Sequence, residues 1–101
     1  MSSSREEILR EQLNHAITDI LGQLPSMKDA FQNPTYNLSK TVESRVDFLL
    51  GTVLSGILER YAVYLSNNKI RPTPEEFIRI NQVLFSRANE FKEIIIKLLA
   101  T

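Results

Sequence analysis

Residues 48–58 read FLLGTVLSGIL, a run without a charged side chain, inside a helical pattern that extends over about residues 40–66. A helix that is apolar on every side has to be covered on every side. Only two other periodic segments are available to do so, one before it and one after it. Two helices cover part of a third, so the expected fold is all-α, with a central helix whose remaining face needs a second copy of the chain or another protein.

The flanking segments give three main helices. Ser4-Arg5-Glu6-Glu7 has the form of a capping box, in which the serine hydroxyl accepts from the backbone three residues on and Glu7 reaches back. Leu9, Leu13, Ala16, Ile17, Ile20, Leu21 and Leu24 then recur at three- and four-residue steps, which predicts a first helix over about residues 4–24, ended by Pro25. Residues 25–38, with Pro34 and Asn37, form a connection longer than the roughly 2–8 residues usual between helices. Ser26 can cap a single turn there that points Met27 and Phe31 inward, with Tyr36 and Leu38 as further apolar weight.

The second helix is predicted over about residues 40–66, with Ser39 or Thr41 as its cap. It stops at Asn67, Asn68 and Lys69, where asparagine suits the left-handed C-terminal position. The third start is the clearest in the chain. Thr73 caps it, Pro74 takes the first helical position, where its missing N–H costs nothing, and Glu76 follows three residues after the cap. This third helix is predicted over about residues 74–100. Its stripe is Phe77, Leu84, Ala88, Phe91, Ile95 and Leu98, widened by Ile80, Phe85 and Leu99, with Arg79, Ser86, Glu90, Glu93 and Lys97 opposite. The second and third helices are each about 25 residues, hence about 38 Å long. The short link over residues 67–73 makes them a long antiparallel hairpin, and a dimer would join two such hairpins into a helical bundle.

A chain of 101 residues has room for one domain, residues 1–101, and its 43% hydrophobic and 24% charged fractions are those of a folded globular protein. Twelve basic and twelve acidic side chains give a net charge of zero. That removes long-range attraction to nucleic acid or anionic membrane, and also the charge repulsion that keeps copies apart. There is no cysteine, hence no disulfide, thiolate metal site or thiol chemistry. Charges occupy the N-terminal residues where a signal peptide needs its apolar region. The run over residues 48–58 is also shorter than the ~20 residues that span a bilayer. A cytoplasmic protein with no membrane partner is expected.

No pattern for catalysis stands out. Glu7, Glu11, His15 and Asp19 form a row at steps of four, and a carboxylate with an imidazole at that spacing is an acceptable metal pair. The row lies opposite the apolar face, however, and there is no second histidine to complete a site. Glu43 and Asp47 are paired likewise, but without the Glu-x-x-His motif of di-metal bundles. No Gly-rich phosphate loop or serine elbow is present. No cofactor, metal or enzymatic activity is expected. Lys69, Arg71, Arg79, Arg87, Lys92 and Lys97 make the last third slightly basic, but Glu75, Glu76, Glu90 and Glu93 are interleaved, as on a solvated face. Two polar residues fall on apolar faces: Arg60, whose stem can pack while its guanidinium reaches water, and Asn81, between Phe77, Leu84 and Ala88.

Gly51, Ser55 and Ala62 lie along one side of the second helix, with Leu54 and Leu58 beside them and Gly56 on another side. A helical glycine costs about 1 kcal/mol relative to alanine, so two in one apolar helix call for a close backbone approach. The first helix could supply it, but its single stripe covers one side only. The expected interface is therefore Gly51, Leu54, Ser55, Leu58 and Ala62 against a second copy. The function expected is a non-enzymatic scaffold or adaptor that forms a homodimer and offers a surface to a further protein. The alternative is a small accessory subunit or nucleic-acid-associated factor using the basic side of the third helix. Thr73→Ala is expected to cost about 1 kcal/mol by leaving a helix N–H unpaired; an unchanged midpoint in chemical denaturation would mean that no helix begins there.

Overall fold

The computed structural model describes residues 4–36 and 38–101, with all their side chains except that of Ser39. Every regular element among them is a helix: α1 (Arg5–Gly22), α2 (Leu24–Gln32), α3 (Leu38–Thr41), α4 (Arg45–Asn67), α5 (Pro74–Ser86) and α6 (Ala88–Leu99). The molecule is elongated, 51 × 24 × 23 Å. At its centre α4 buries Leu49, Val53, Ile57, Tyr61 and Leu65, one residue per turn. These pack chiefly against α1 and then against α6. From α1 come Leu9, Leu13, Ala16, Ile17 and Ile20, the face its periodicity predicts. From α6 come Phe91 and Ile95.

Packing pairs fix the direction of α1. Ile20 lies on Gly56, with its methyl groups and chain 3.3–3.7 Å from where a Cβ would stand, while His15, five residues earlier, lies edge-on to Tyr64, whose hydroxyl donates to Asp19. Later residues of α1 thus meet earlier residues of α4, and the two run antiparallel. Further along, the rings of Phe31 on α2 and Phe48 on α4 meet at 5.5 Å. Lys28 of α2 donates from Nζ to the Leu98 carbonyl at 3.2 Å and to Thr101 Oγ1 at 3.1 Å, placing a cation where α6 exposes its last carbonyls.

Four boundaries differ from those read in the sequence. Residues 25–38 hold the nine-residue α2 and the single turn α3 rather than one turn. Pro25 sits in the first turn of α2, and Gln23, not Ser26, precedes it without a side-chain cap. Phe31 is buried and Met27 packs on the core, but Tyr36 is exposed. The central helix begins at Arg45 rather than near residue 40. The Ser44 hydroxyl accepts from the Asp47 N–H at 3.2 Å, and Asp47 puts a negative charge in the first turn. The Ser39 side chain lies outside the described residues, and Thr41 falls in α3. At the N-terminus of α1, Ser4 Oγ accepts from the Glu7 N–H at 3.1 Å, one half of the box.

The third predicted helix is broken at Arg87. The Arg87 N–H would ordinarily bond the Val83 carbonyl, but the Ser86 hydroxyl takes that carbonyl at 2.7 Å, and Arg87 donates instead to Leu84 at 3.1 Å. A serine hydroxyl bonding back into the ladder bends a helix. The change of course re-aims α5, which buries Ile80 and Leu84 while Phe77, Ile78 and Phe85 stand about half exposed. Phe77 and Phe85, both expected in the core, are therefore on the surface.

The C-terminal turn of α4 is a Schellman motif, with Ile70 N–H donating to Leu65 O at 2.8 Å and Lys69 N–H to Ser66 O at 3.0 Å. The left-handed residue is Lys69, at φ 56, not an asparagine. Asn68 instead uses its side-chain amide to bond the Tyr64 carbonyl at 2.8 Å. A left-handed lysine pays for its Cβ where glycine would not. Lys69→Gly should raise stability by roughly 0.5–1 kcal/mol, read as a higher denaturation midpoint; a lower midpoint would mean that the lysine side chain contributes more than the backbone strain costs.

Candidate functional site

The buried stripe of α4 occupies one side of the helix, and the opposite side is open. Gly51, Ser55 and Ala62 are exposed along a ridge, with Leu54 and Leu58 half-buried on its flank. A Cβ built on Gly51 would meet nothing within 4 Å. The close approach by α1 thus falls on Gly56, and it leaves the Gly51 side uncovered. Phe48 and Val63 extend the ridge, 37% and 49% exposed; their place was legible only once the core-facing stripe was known. By length and composition, α4 could cross a membrane, at a mean hydropathy of 1.3 over its most apolar stretch, of which 28% is buried. Here its buried residues are taken up by α1 and α6.

Two grooves flank the ridge. Along the N-terminal half of α4, a groove of about 850 Å³ is lined by Ile20, Met27 and Phe48, with Gly51, Ser55, Asp47, Glu59 and Arg60 among its walls. Arg60 is half-buried, in line with a packed stem and a wet head. Along the C-terminal half, a groove of about 680 Å³ opens where α5 diverges from α4, with Leu58, Ala62, Leu65, Ile70 and Phe77 as its apolar walls and Lys69 and Arg71 as its charges. Tyr61 also lines this second groove. It is 1% exposed, and its hydroxyl has no hydrogen-bond partner among the described residues. Burial, and then the charge of Glu76, push its phenol up to about 12. The side-chain oxygen of Asn81 is likewise buried without a partner.

The second groove is framed by one polar junction. Arg5 Nε donates to Glu76 Oε2 at 2.7 Å, and Arg5 Nη2 donates to Glu76 Oε1 at 3.1 Å and to the Arg71 carbonyl at 2.6 Å. The Thr73 N–H donates to Glu76 Oε1 at 2.8 Å, while Thr73 Oγ1 accepts from the Glu76 N–H at 3.2 Å, which completes the capping box. One carboxylate therefore joins the start of α1, the link after α4 and the start of α5. Arg5 and the Thr73 N–H hold its pKa down at about 2.

The other side chains weighed in the sequence are dispersed. His15 is exposed, 3.9 Å from Glu11 and edge-on to Tyr64, while Asp19 is engaged by Tyr64 rather than aligned with the rest of its row. Among the described residues no three His, Cys, Asp or Glu side chains are placed to share a metal ion. Arg87 is held by Glu90 through two bonds of 2.9 Å and lies over the Phe91 ring, so part of the basic side of the last helices is already engaged. No family model, curated protein or solved structure matches the chain.

A carboxyl whose folded pKa lies below its ordinary 4.5 stabilises the fold above that value and loses the contribution as pH falls towards about 2. Glu76→Gln should therefore be less stable than wild type at pH 6, with the gap closing between about pH 4.5 and pH 2. Urea denaturation across that range checks it; a gap constant with pH would mean that the ionised carboxylate does not make the junction.

Proposed function

We propose that this protein is a non-enzymatic interaction module, a small helical scaffold or adaptor that works as a homodimer. The uncovered ridge of α4 carries the reading: Gly51, Ser55 and Ala62 are exposed on a helix with apolar flanks, and Gly51 faces open space. Leu54 and Leu58 complete the interface. Each copy contributes α4 with α5 and α6 as an antiparallel hairpin, and the two hairpins form the helical bundle while α1 closes the far side of α4. Small residues on the ridge let two backbones approach closely, and the zero net charge offers no repulsion against it.

An adaptor also needs apolar surface that dimerisation leaves free. Ile78 and Phe85 on α5 supply it, 57% and 51% exposed. They form the surface offered to a further protein, in the cytoplasm.

Analytical ultracentrifugation tests the reading. Wild type should sediment as a dimer at micromolar concentration, and Gly51→Leu should shift it towards monomer with helicity retained, since leucine is a good helix former. Overpacking within one chain, which typically costs about 1–3 kcal/mol, would instead lower stability without changing the mass. Wild type found monomeric throughout the micromolar range would contradict the proposal.

A further inference from the structure

The ridge has a polarity that selects one way of pairing. Phe48, Gly51, Ser55, Leu58 and Ala62 follow one another at alternating steps of three and four, the spacing of a coiled-coil seam. Asp47 stands at its start, and Lys69 and Arg71 at its end. The groove lined from Asp47 to Val63 has Asp47 at its N-terminal end, and its other charges, Glu59 and Arg60, offset one another; the groove beside the C-terminal half has Lys69 and Arg71 as its charges. Among the described residues, the side chains of Asp47 and Lys69 make no ion pair.

We infer that the occupant of this face is a second copy of the chain lying antiparallel, with Asp47 of each copy against Lys69 of the other. The inference rests on the homodimer proposed above and specifies its geometry. Leu58 falls midway between residues 47 and 69, so the two-fold axis passes through it. Ala62 then faces Leu54 of the second copy. Asp47 at the start of each α4 meets the basic groove of the other copy, and the two helix dipoles oppose one another. A parallel pair would set Asp47 against Asp47 and Lys69 against Lys69, like charges at both ends. An antiparallel pair places small residues near the crossing and charges outside it.

The chain contains no cysteine, so introduced cysteines report the register directly. A disulfide requires Cα atoms about 4.4–6.8 Å apart. In the inferred register Leu58→Cys meets itself, whereas Gly51→Cys in the two copies is separated by about 21 Å along the axis. Under mild oxidation Leu58→Cys should convert largely to a disulfide-linked dimer and Gly51→Cys should not. A mixture of Asp47→Cys and Lys69→Cys chains should also cross-link, and it keeps one intact Asp47–Lys69 pair at the other end of the dimer. Both of its positions are exposed, so this pair serves if Leu58→Cys fails to fold. Self-linking of Gly51→Cys would overturn the register. So would a wild-type dimer in ultracentrifugation with no cross-link at any of these positions, which leaves the dimer standing but seats it elsewhere. A monomeric wild type would remove the parent reading as well.

Discussion

Burial of one residue per turn of α4, from Leu49 through Val53, Ile57 and Tyr61 to Leu65, is the constraint on which the rest of the molecule depends. That stripe is filled by α1 on one side and α6 on another, and the packing is tight enough that Ile20 lies 3.3 Å from a Cβ position on Gly56. A helix has more circumference than two neighbours can cover. Once the stripe is taken, Gly51, Ser55 and Ala62 are left facing outward, and Phe48 and Val63 with them. The glycine that α1 packs against and the glycine that it leaves free are five residues apart, on different sides of one helix.

Two interruptions decide where the remaining apolar surface lies. Pro25 has no N–H to continue the ladder of α1, so the chain restarts as α2 and carries Phe31 to the ring of Phe48. At Arg87 the Ser86 hydroxyl displaces one backbone bond, and α5 departs from the line of α6. The departure opens the groove beside Leu58 and Ala62 and turns Phe77 and Phe85 outward. The Arg5–Glu76 junction holds that end together through polar contacts at the start of α1 and α5, where few apolar side chains are available. Core and partner surfaces therefore have one origin in the path of three chain segments around α4.

The all-α class was legible in the sequence because the periodic pattern runs through long segments. The apolar face of α1 and the Thr73 cap were legible for local reasons, a three- and four-residue repeat and a Thr-Pro-Glu-Glu start. Phe77 and Phe85 were not, since their positions depend on the single-residue break at Arg87, which periodicity averages over. The start of α4 was open to a closer reading: Ser44 followed by Asp47 is a cap with its first-turn acid, and it competes with Ser39 and Thr41. Lys69 at positive φ was hidden by the two asparagines before it, because the turn geometry and not residue preference decides which position takes that conformation. Of the candidate interface, the small residues were visible in the sequence. Which of the two helical glycines was already covered required the position of Ile20.

The claim that the ridge of α4 packs against a second copy can be read at single atoms. In a sample mixing isotope-labelled and unlabelled chains, a filtered NOE experiment detects contacts only between copies. The expected result is a set of NOEs from the Ala62 methyl group to Leu54 and Leu58 of the other copy. Filtered NOEs confined to Phe77, Ile78 and Phe85, or none at Ala62 at concentrations where the protein sediments as a dimer, would contradict it.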